Sequence, residues 1–301
     1  MLRERGLLKM LTSLEWRVED VGDFDFESLV HSRTTTGIVP NDISGSTATQ
    51  YVAVSNAKNC RIVGEGNRLL ADKVEETVRE GRFPLVLGGD HSIGLGSLAG
   101  LLRVRPHTGV IWIDAHADLN TPDTSESGNM HGMPLGLIMN GIAPDHSRLS
   151  GLEWLVDGPR LSADSLVYVG LRDVDAGERQ FIRQHNIKAF TMHEIDRYGI
   201  GRVMEEALGH LLQNDPHRPL HISYDIDAVD PVLAPATGTA VRGGLTFREA
   251  HYVAEAVAAS GNLGSADIVE LNPTLSDGAG ANETVELGLQ LVTSMLGKSI
   301  I

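Results

Sequence analysis

The segment Trp112-Ile113-Asp114-Ala115-His116-Ala117-Asp118 constrains this chain more than any other, because it sets Asp, His and Asp at alternate positions directly after the apolar run Val110-Ile111-Trp112-Ile113. Side chains at i, i+2 and i+4 of an extended segment point the same way. Three metal-ligating groups therefore converge where a buried strand ends. Carboxylates that close repel each other at neutral pH unless a cation lies between them or one stays protonated. A bound metal resolves the conflict, although a lone pattern of this kind also fits acids that cap a following turn.

The pattern recurs. Tyr224-Asp225-Ile226-Asp227 follows Leu220-His221-Ile222-Ser223, and Gly88-Gly89-Asp90-His91-Ser92 follows Phe83-Pro84-Leu85-Val86-Leu87. A further run, Ala266-Asp267-Ile268-Val269, delivers Glu270 ahead of Leu271-Asn272-Pro273. Ligands of open α/β sheets bind beyond the carboxyl ends of the strands. Acid or His clusters at all these ends are hard to explain as caps alone.

Length and composition allow that architecture. A chain of 301 residues exceeds the usual single-domain size, yet α/β folds of about 250 residues or more run as one domain. The net charge of −15 argues against nucleic acid and anionic membrane partners, which need basic patches, and suits a small cationic substrate. The lone Cys60 excludes an internal disulfide and any cysteine-based zinc or iron–sulfur site. No signal peptide or transmembrane run is apparent, so the default compartment is the cytoplasm.

Extended runs alternate with helical periodicities, the signature of βαβ units. The expectation is a single three-layer α/β/α domain over 1–301 with a mainly parallel sheet. Leu70, Val74 and Val78 predict a helix ending before Gly81, and Met204, Ala207, Leu208, Leu211 and Leu212 predict another. Thr246-Phe247-Arg248-Glu249 reads as a capping box opening a helix that Gly261 closes. Segments 119–134 and 228–244 read as long loops, which are more often functional than disordered.

The motifs GGDHS at 88–92, DAHADLNTP at 114–122, SGNMHGMP at 127–134, GLRDVDAGE at 170–178, SYDIDAVDP at 223–231, PATGT at 235–239 and ELNP at 270–273, with Asp196 to Gly201 between them, resemble the arginases of the ureohydrolase family. The likeness runs through nearly the whole chain, in order. It implies hydrolysis of the guanidinium group of L-arginine to L-ornithine and urea by a hydroxide bridging two manganese ions. Donors of oxygen and imidazole without thiolate independently suit manganese or a similar ion.

By motif position, His91, Asp114, Asp118 and Asp225 would hold one ion, and Asp114, His116, Asp225 and Asp227 the other, with Asp114 and Asp225 bridging. Glu270 would pair with the guanidinium, whose fork matches a carboxylate. His131 would shuttle a proton to the leaving amine, since histidine titrates in the required range. Asp118 joins these two in the implied catalytic set. Asn120, Ser125, Ser127 and Asn129 would bind the substrate's α-carboxylate, Asp175 and Glu178 its α-amino group, and Thr239 the guanidinium end. Asp173 reads as a support for its loop. His107, His146, His193, His221 and His251 fall outside the matching motifs and read as structural or surface residues.

Two further readings stay open: a hydrolase of another guanidino compound, such as agmatine or a guanidino acid, and a catalytically impaired relative. Agmatine lacks the carboxylate that the polar loop residues would serve. The resemblance also implies a homo-oligomer, a trimer above all. Members of the family carry a strand and a Gly-rich loop ahead of the segment that here reads Leu2 to Leu8, and a longer tail than Gly297 to Ile301. The expected domain therefore lacks the family's first strand, which would lie between a strand over Trp16 to Val21 and the one at Phe83 to Leu87. Either 16–21 slides across to pair with 83–87 or an edge stays open. The chain is then expected to fold around 110–114, 166–170, 220–225 and 266–270, with lower stability and a weaker hold on the ion beside His91.

Overall fold

Each apolar run that ends in an acid or histidine becomes a strand of one sheet. The computed structural model describes residues 1–24 and 56–298. Within them β1 (Leu85–Leu87), β2 (Gly109–Ile113), β3 (Leu166–Leu171), β4 (Lys188–Thr191), β5 (Leu220–Asp225) and β6 (Leu263–Val269) pair in the order β1-β6-β5-β2-β3-β4. Every pairing is parallel. Parallel neighbours need crossover connections, which here are mostly helical. The α-helices among the described residues are α1 (Leu7–Ser13), α2 (Cys60–Arg79), α3 (Gly94–Val104), α4 (Ala176–Gln184), α5 (Met192–Tyr198), α6 (Ile200–Leu212), α7 (Phe247–Ala259) and α8 (Gly278–Met295).

Strands β2, β3 and β5 are buried along their whole length, so alternate side chains feed two separate cores. Ile111, Ile113, Ile222 and Tyr224 pack with Val203 of α6, Val253 of α7 and Leu291 of α8. Val110, Trp112 and Tyr168 point to the other face, where Ala71 of α2 and Leu95 and Leu98 of α3 cover them. The result is the expected α/β/α sandwich. Helix α2 buries Leu70, Val74 and Val78 and stops just before Gly81, at φ +74°. Helix α7 opens on the expected capping box, in which Glu249 accepts the Thr246 N–H at 2.8 Å and the Thr246 hydroxyl accepts the Glu249 N–H at 3.3 Å. Of the two long loops, the second is pinned by a bridge between Val229 and Leu245 and by Asp230, which accepts the N–H groups of Gly243 and Gly244. No helix of the described residues is long and apolar enough to cross a membrane.

The expected strand at 16–21 does not form. Residues 16–24 run without ladder partners, Val18 and Val21 are exposed, and among the described residues β1 has β6 as its one strand neighbour. Side-chain ties take the place of a ladder. Trp16 meets Phe83 edge-on at 5.5 Å and donates its Nε1–H to the Leu296 carbonyl at 2.8 Å. Arg3 pairs with Asp20 and Asp23, and Arg82 with Glu19. With alternating charges and its valines in water, this segment has no buried face to fix a register, so of the two alternatives the open edge is the one adopted among the described residues.

Candidate metal centre and active site

Strands β1, β6, β5 and β2 are consecutive neighbours, so their carboxyl ends open onto one crevice. There His91 Nδ1 lies 3.0 Å from Asp114 Oδ2, 3.0 Å from Asp118 Oδ2 and 3.1 Å from Asp225 Oδ2. His116 Nδ1 lies 3.1 Å from Asp227 Oδ2 and 3.4 Å from Asp114 Oδ1. The ligand atoms fall into two groups small enough for one ion each: His91, Asp114 and Asp225, and Asp114, His116 and Asp227. Asp114 belongs to both, one oxygen turned to each. Asp225 belongs to the first, and Asp118 reaches the same His91 nitrogen.

The donor set fits a cation. His91 Nδ1 and Asp118 Oδ2 are buried without a hydrogen-bond partner, although anionic oxygens crowd round that nitrogen. Burial disfavours the ionised forms, and the charges then sort themselves. Desolvation and the charge of Asp114 push the Asp118 carboxyl well above its ordinary range, and desolvation with Asp227 and Asp114 does the same to Asp225. Asp114 is buried too, but the two imidazoles beside it pull it down. Burial opposes the charging of both histidines, yet hydrogen bonds to the carboxylates outweigh it, raising His91 well above its usual value and His116 to about 12. Divalent cations would relieve both conflicts, holding the carboxylates ionised and the imidazoles neutral.

The supports of these candidate ligands include residues, some of them inside the motifs, to which the sequence reading attached no role. Trp112 stacks on the His91 ring at 4.0 Å, with 6° between the planes, and donates its Nε1–H to Asp114 Oδ2 at 2.9 Å. Ser223 Oγ lies 2.9 Å from His91 Nε2 and donates weakly to Asp267 at 3.5 Å. Asp267 in turn accepts the Ser97 hydroxyl at 2.7 Å and faces His221 Nε2 at 3.2 Å, while His221 Nδ1 meets Ser265 Oγ at 2.9 Å. His221 is thus structural, as expected, but in a fully buried polar network behind the site. Beneath the second ligand group, the Arg172 guanidinium donates to the carbonyls of Asp227, Ala228 and Val241. Gly170, at φ +103° and inside a register shift of β3, lets the chain pass Asp114, whose carbonyl would stand 3.2 Å from a Cβ there.

A pocket leads down to the ligands, walled by His91, His116, Asp118, Asp225 and Glu270 at its base. Of the expected binding residues, Asn120, Ser125, Ser127, Asp175, Glu178 and Thr239 all reach its wall, as do His131 and Asp173. Asp173, expected as a support for its loop, thus also faces the pocket. Asn129 is not on the wall; its amide oxygen faces Lys58 Nζ at 3.4 Å. Glu178 is largely occupied, accepting the N–H of Leu119 and of Asp175, each at 2.9 Å, and its burial lifts its carboxyl to about 7. Thr239 donates to Asp227 Oδ2 at 2.9 Å. Glu270 accepts the His91 N–H at 2.9 Å, and His131 Nδ1 is 3.9 Å from the same oxygen. Burial raises the Glu270 carboxyl above its usual range. Both Asp118 and Glu270 sit in the left-handed region, at φ +50° and +65°, which is strained for side chains of their kind.

Comparison with known proteins joins this geometry to a lineage. The profile described as Arginase family matches residues 3–297. The arginase of Neurospora crassa is 49% identical over 253 residues, covering 82% of this chain and 69% of its own. Arginase-1 of Homo sapiens is 45% identical over 274 residues, covering 91% and 78%. The crystal structure of the arginase from Bacillus cereus superimposes with a TM-score of 0.82 at 36% identity, covering all of this chain and 91% of that one. With that agreement running from the first helix to the last, the chain belongs to the arginase family.

Proposed function

We propose that this protein hydrolyses the guanidinium group of L-arginine, releasing L-ornithine and urea, with two manganese ions per subunit. The observation that carries the reading is the pair of His and Asp groups sharing Asp114 at the floor of a pocket whose wall includes Glu270. Oxygen and imidazole donors favour manganese over sulfur-seeking metals. His91, Asp114, Asp118 and Asp225 would hold one ion, and Asp114, His116, Asp225 and Asp227 the other. Such ions supply a water of lowered pKa and positive charge where the tetrahedral centre forms.

The chain's own groups do the rest. Glu270 spends one oxygen on the His91 N–H and turns the other to the planar guanidinium. Asp118, whose Oδ2 has no hydrogen-bond partner in the protein, would accept a hydrogen bond from the attacking water and orient it. His131, near Glu270 and partly exposed, delivers a proton to the departing amine. Toward the mouth, Asn120, Ser125 and Ser127 receive the α-carboxylate, with Asn129 behind them, and Asp175 and Asp173 face the α-amino group. Glu178 acts there through Asp175 and Leu119, whose amides it fixes. Thr239 steadies Asp227 beside the guanidinium.

The same reading includes a homotrimer at work in cytoplasmic arginine metabolism, which light scattering and cell fractionation test. The decisive assay is urea release by manganese-loaded protein with L-arginine and agmatine in parallel. Turnover of L-arginine in marked preference to agmatine is expected; turnover of agmatine alone, or of neither, overturns the reading.

A further inference from the structure

Among the described residues the pocket wall carries the carboxylates of Asp118, Asp173, Asp175, Glu178, Asp225 and Glu270 and no Lys or Arg. With Asp118 and Asp225 given to the ions and Glu178 bound to backbone amides, Asp173, Asp175 and Glu270 remain to attract a guanidinium and repel a carboxylate. L-arginine carries both, so acidic walls alone would favour its decarboxylated analogue. The donors at the mouth are neutral. Ser125 Oγ accepts the Gly128 N–H at 3.0 Å and Ser127 Oγ the Asn129 N–H at 3.2 Å, which leaves each hydroxyl proton to donate outward. Asn120 commits one N–H to Asp175 at 2.8 Å and its oxygen to the Thr124 hydroxyl at 2.9 Å, so one N–H remains. Neutral donors orient a carboxylate but do not offset the charge around it.

A cation stands beside this edge on a fixed base. The Lys58 N–H donates to the Gly128 carbonyl at 2.8 Å, and Asn56 Nδ2 donates to the Ser125 carbonyl at 2.6 Å. The contact is backbone on backbone: at Gly128, φ +72°, a Cβ would come within 2.2 Å of the Asn56 carbonyl oxygen. Residues 56–58 are therefore bolted to the 125–129 loop. The Lys58 side chain is exposed, and its ammonium rests 3.4 Å from the neutral amide oxygen of Asn129.

We infer that Lys58 is a specificity-determining residue, whose ammonium exchanges the Asn129 amide oxygen for the substrate carboxylate and so selects guanidino compounds that end in an anion. The inference rests on the function proposed above. The four-carbon stem of lysine lets the ammonium follow the carboxylate without moving the loop. Because the group is exposed, its effect is moderate and falls with salt.

The test compares wild type, K58M and K58R on L-arginine and on L-argininamide, which keeps the α-amino group and replaces the carboxylate by a neutral amide. K58M should lower kcat/KM for L-arginine about three- to tenfold, through KM. Its effect on L-argininamide should stay below about twofold, K58R should restore most of the loss, and about 0.5 M salt should narrow the gap between wild type and K58M. Equal losses on both compounds, or none on L-arginine, overturn the role of Lys58 while wild-type urea release leaves the proposed function standing. No urea from the metal-loaded wild type overturns the function, and this inference with it.

Discussion

The centre and the edge of the sheet both deliver ligands, by different means. Strands β2 and β5 are buried at every residue and flanked on both sides, and their ends bring Asp114, His116, Asp225 and Asp227 to the site. Strand β1 is three residues long, half-buried and, among the described residues, paired on one side, yet it precedes His91. At the centre the backbone ladder is enough to position a side chain. At the edge, ties from the centre do that work: Trp112 of β2 stacks on His91, Ser223 of β5 meets its Nε2, and Glu270 beyond β6 accepts its N–H. Ligand geometry at a sheet edge can thus be held by side chains borrowed from inner strands.

The largest expected effect tests the network behind those ties. Asp267→Ala leaves His221 buried without its carboxylate and Ser97 without an acceptor, and should cost about 3–5 kcal/mol of stability by denaturant titration. A loss typical of a surface site would show that the network does not brace the junction of β5 and β6. Next, Ile111→Ala in the fully buried β2 should cost about 2–5 kcal/mol, whereas Val86→Ala in β1 should stay below about 1.5 kcal/mol, since part of Val86 already faces water. Equal losses break the contrast between centre and edge.

Ser223→Ala sharpens it. Removing the hydroxyl from His91 Nε2 should weaken metal binding about tenfold or more, with little change in melting temperature of the metal-free protein. Unchanged affinity in a metal titration would leave Trp112 as the main prop. The smallest effect lies away from both regions, at buried His146, whose Nε2 is 2.8 Å from the Leu137 carbonyl oxygen. Burial, with Arg160 nearby, holds its pKa below the ordinary 6.5. The unfolded chain then binds the proton more readily, so stability should decline as pH falls through and below 6.5. His146→Gln should flatten that decline; an unaltered pH profile would assign it to other groups.

The inner strands and the candidate ligands were legible in the sequence because both are local patterns. A run such as Val110 to Ile113 followed by alternating Asp and His needs no distant partner to be read. The capping box before α7 is equally local. The strand over 16–21, expected from the family resemblance, does not form among the described residues, where Val18 and Val21 face water and Trp16 packs on Phe83 instead. The Ser223–Asp267–His221–Ser265 network left no trace, since its members come from strands that meet only in the folded sheet. Asn129 and Glu178 lie where the motifs pointed, but their hydrogen-bonding groups are turned to Lys58 and to backbone amides, a matter of rotamer that spacing does not encode.

The left-handed backbone at Asp118 and Glu270 gives this centre an evolutionary cost. A glycine at either position would relax the main chain by roughly 1 kcal/mol or more, and at Asp118 it would also remove a carboxyl that burial already disfavours. Selection for heat resistance without selection for urea release would therefore erode the site first, and thermally hardened, silent descendants of such a chain should carry their changes at these two strand ends rather than in the core.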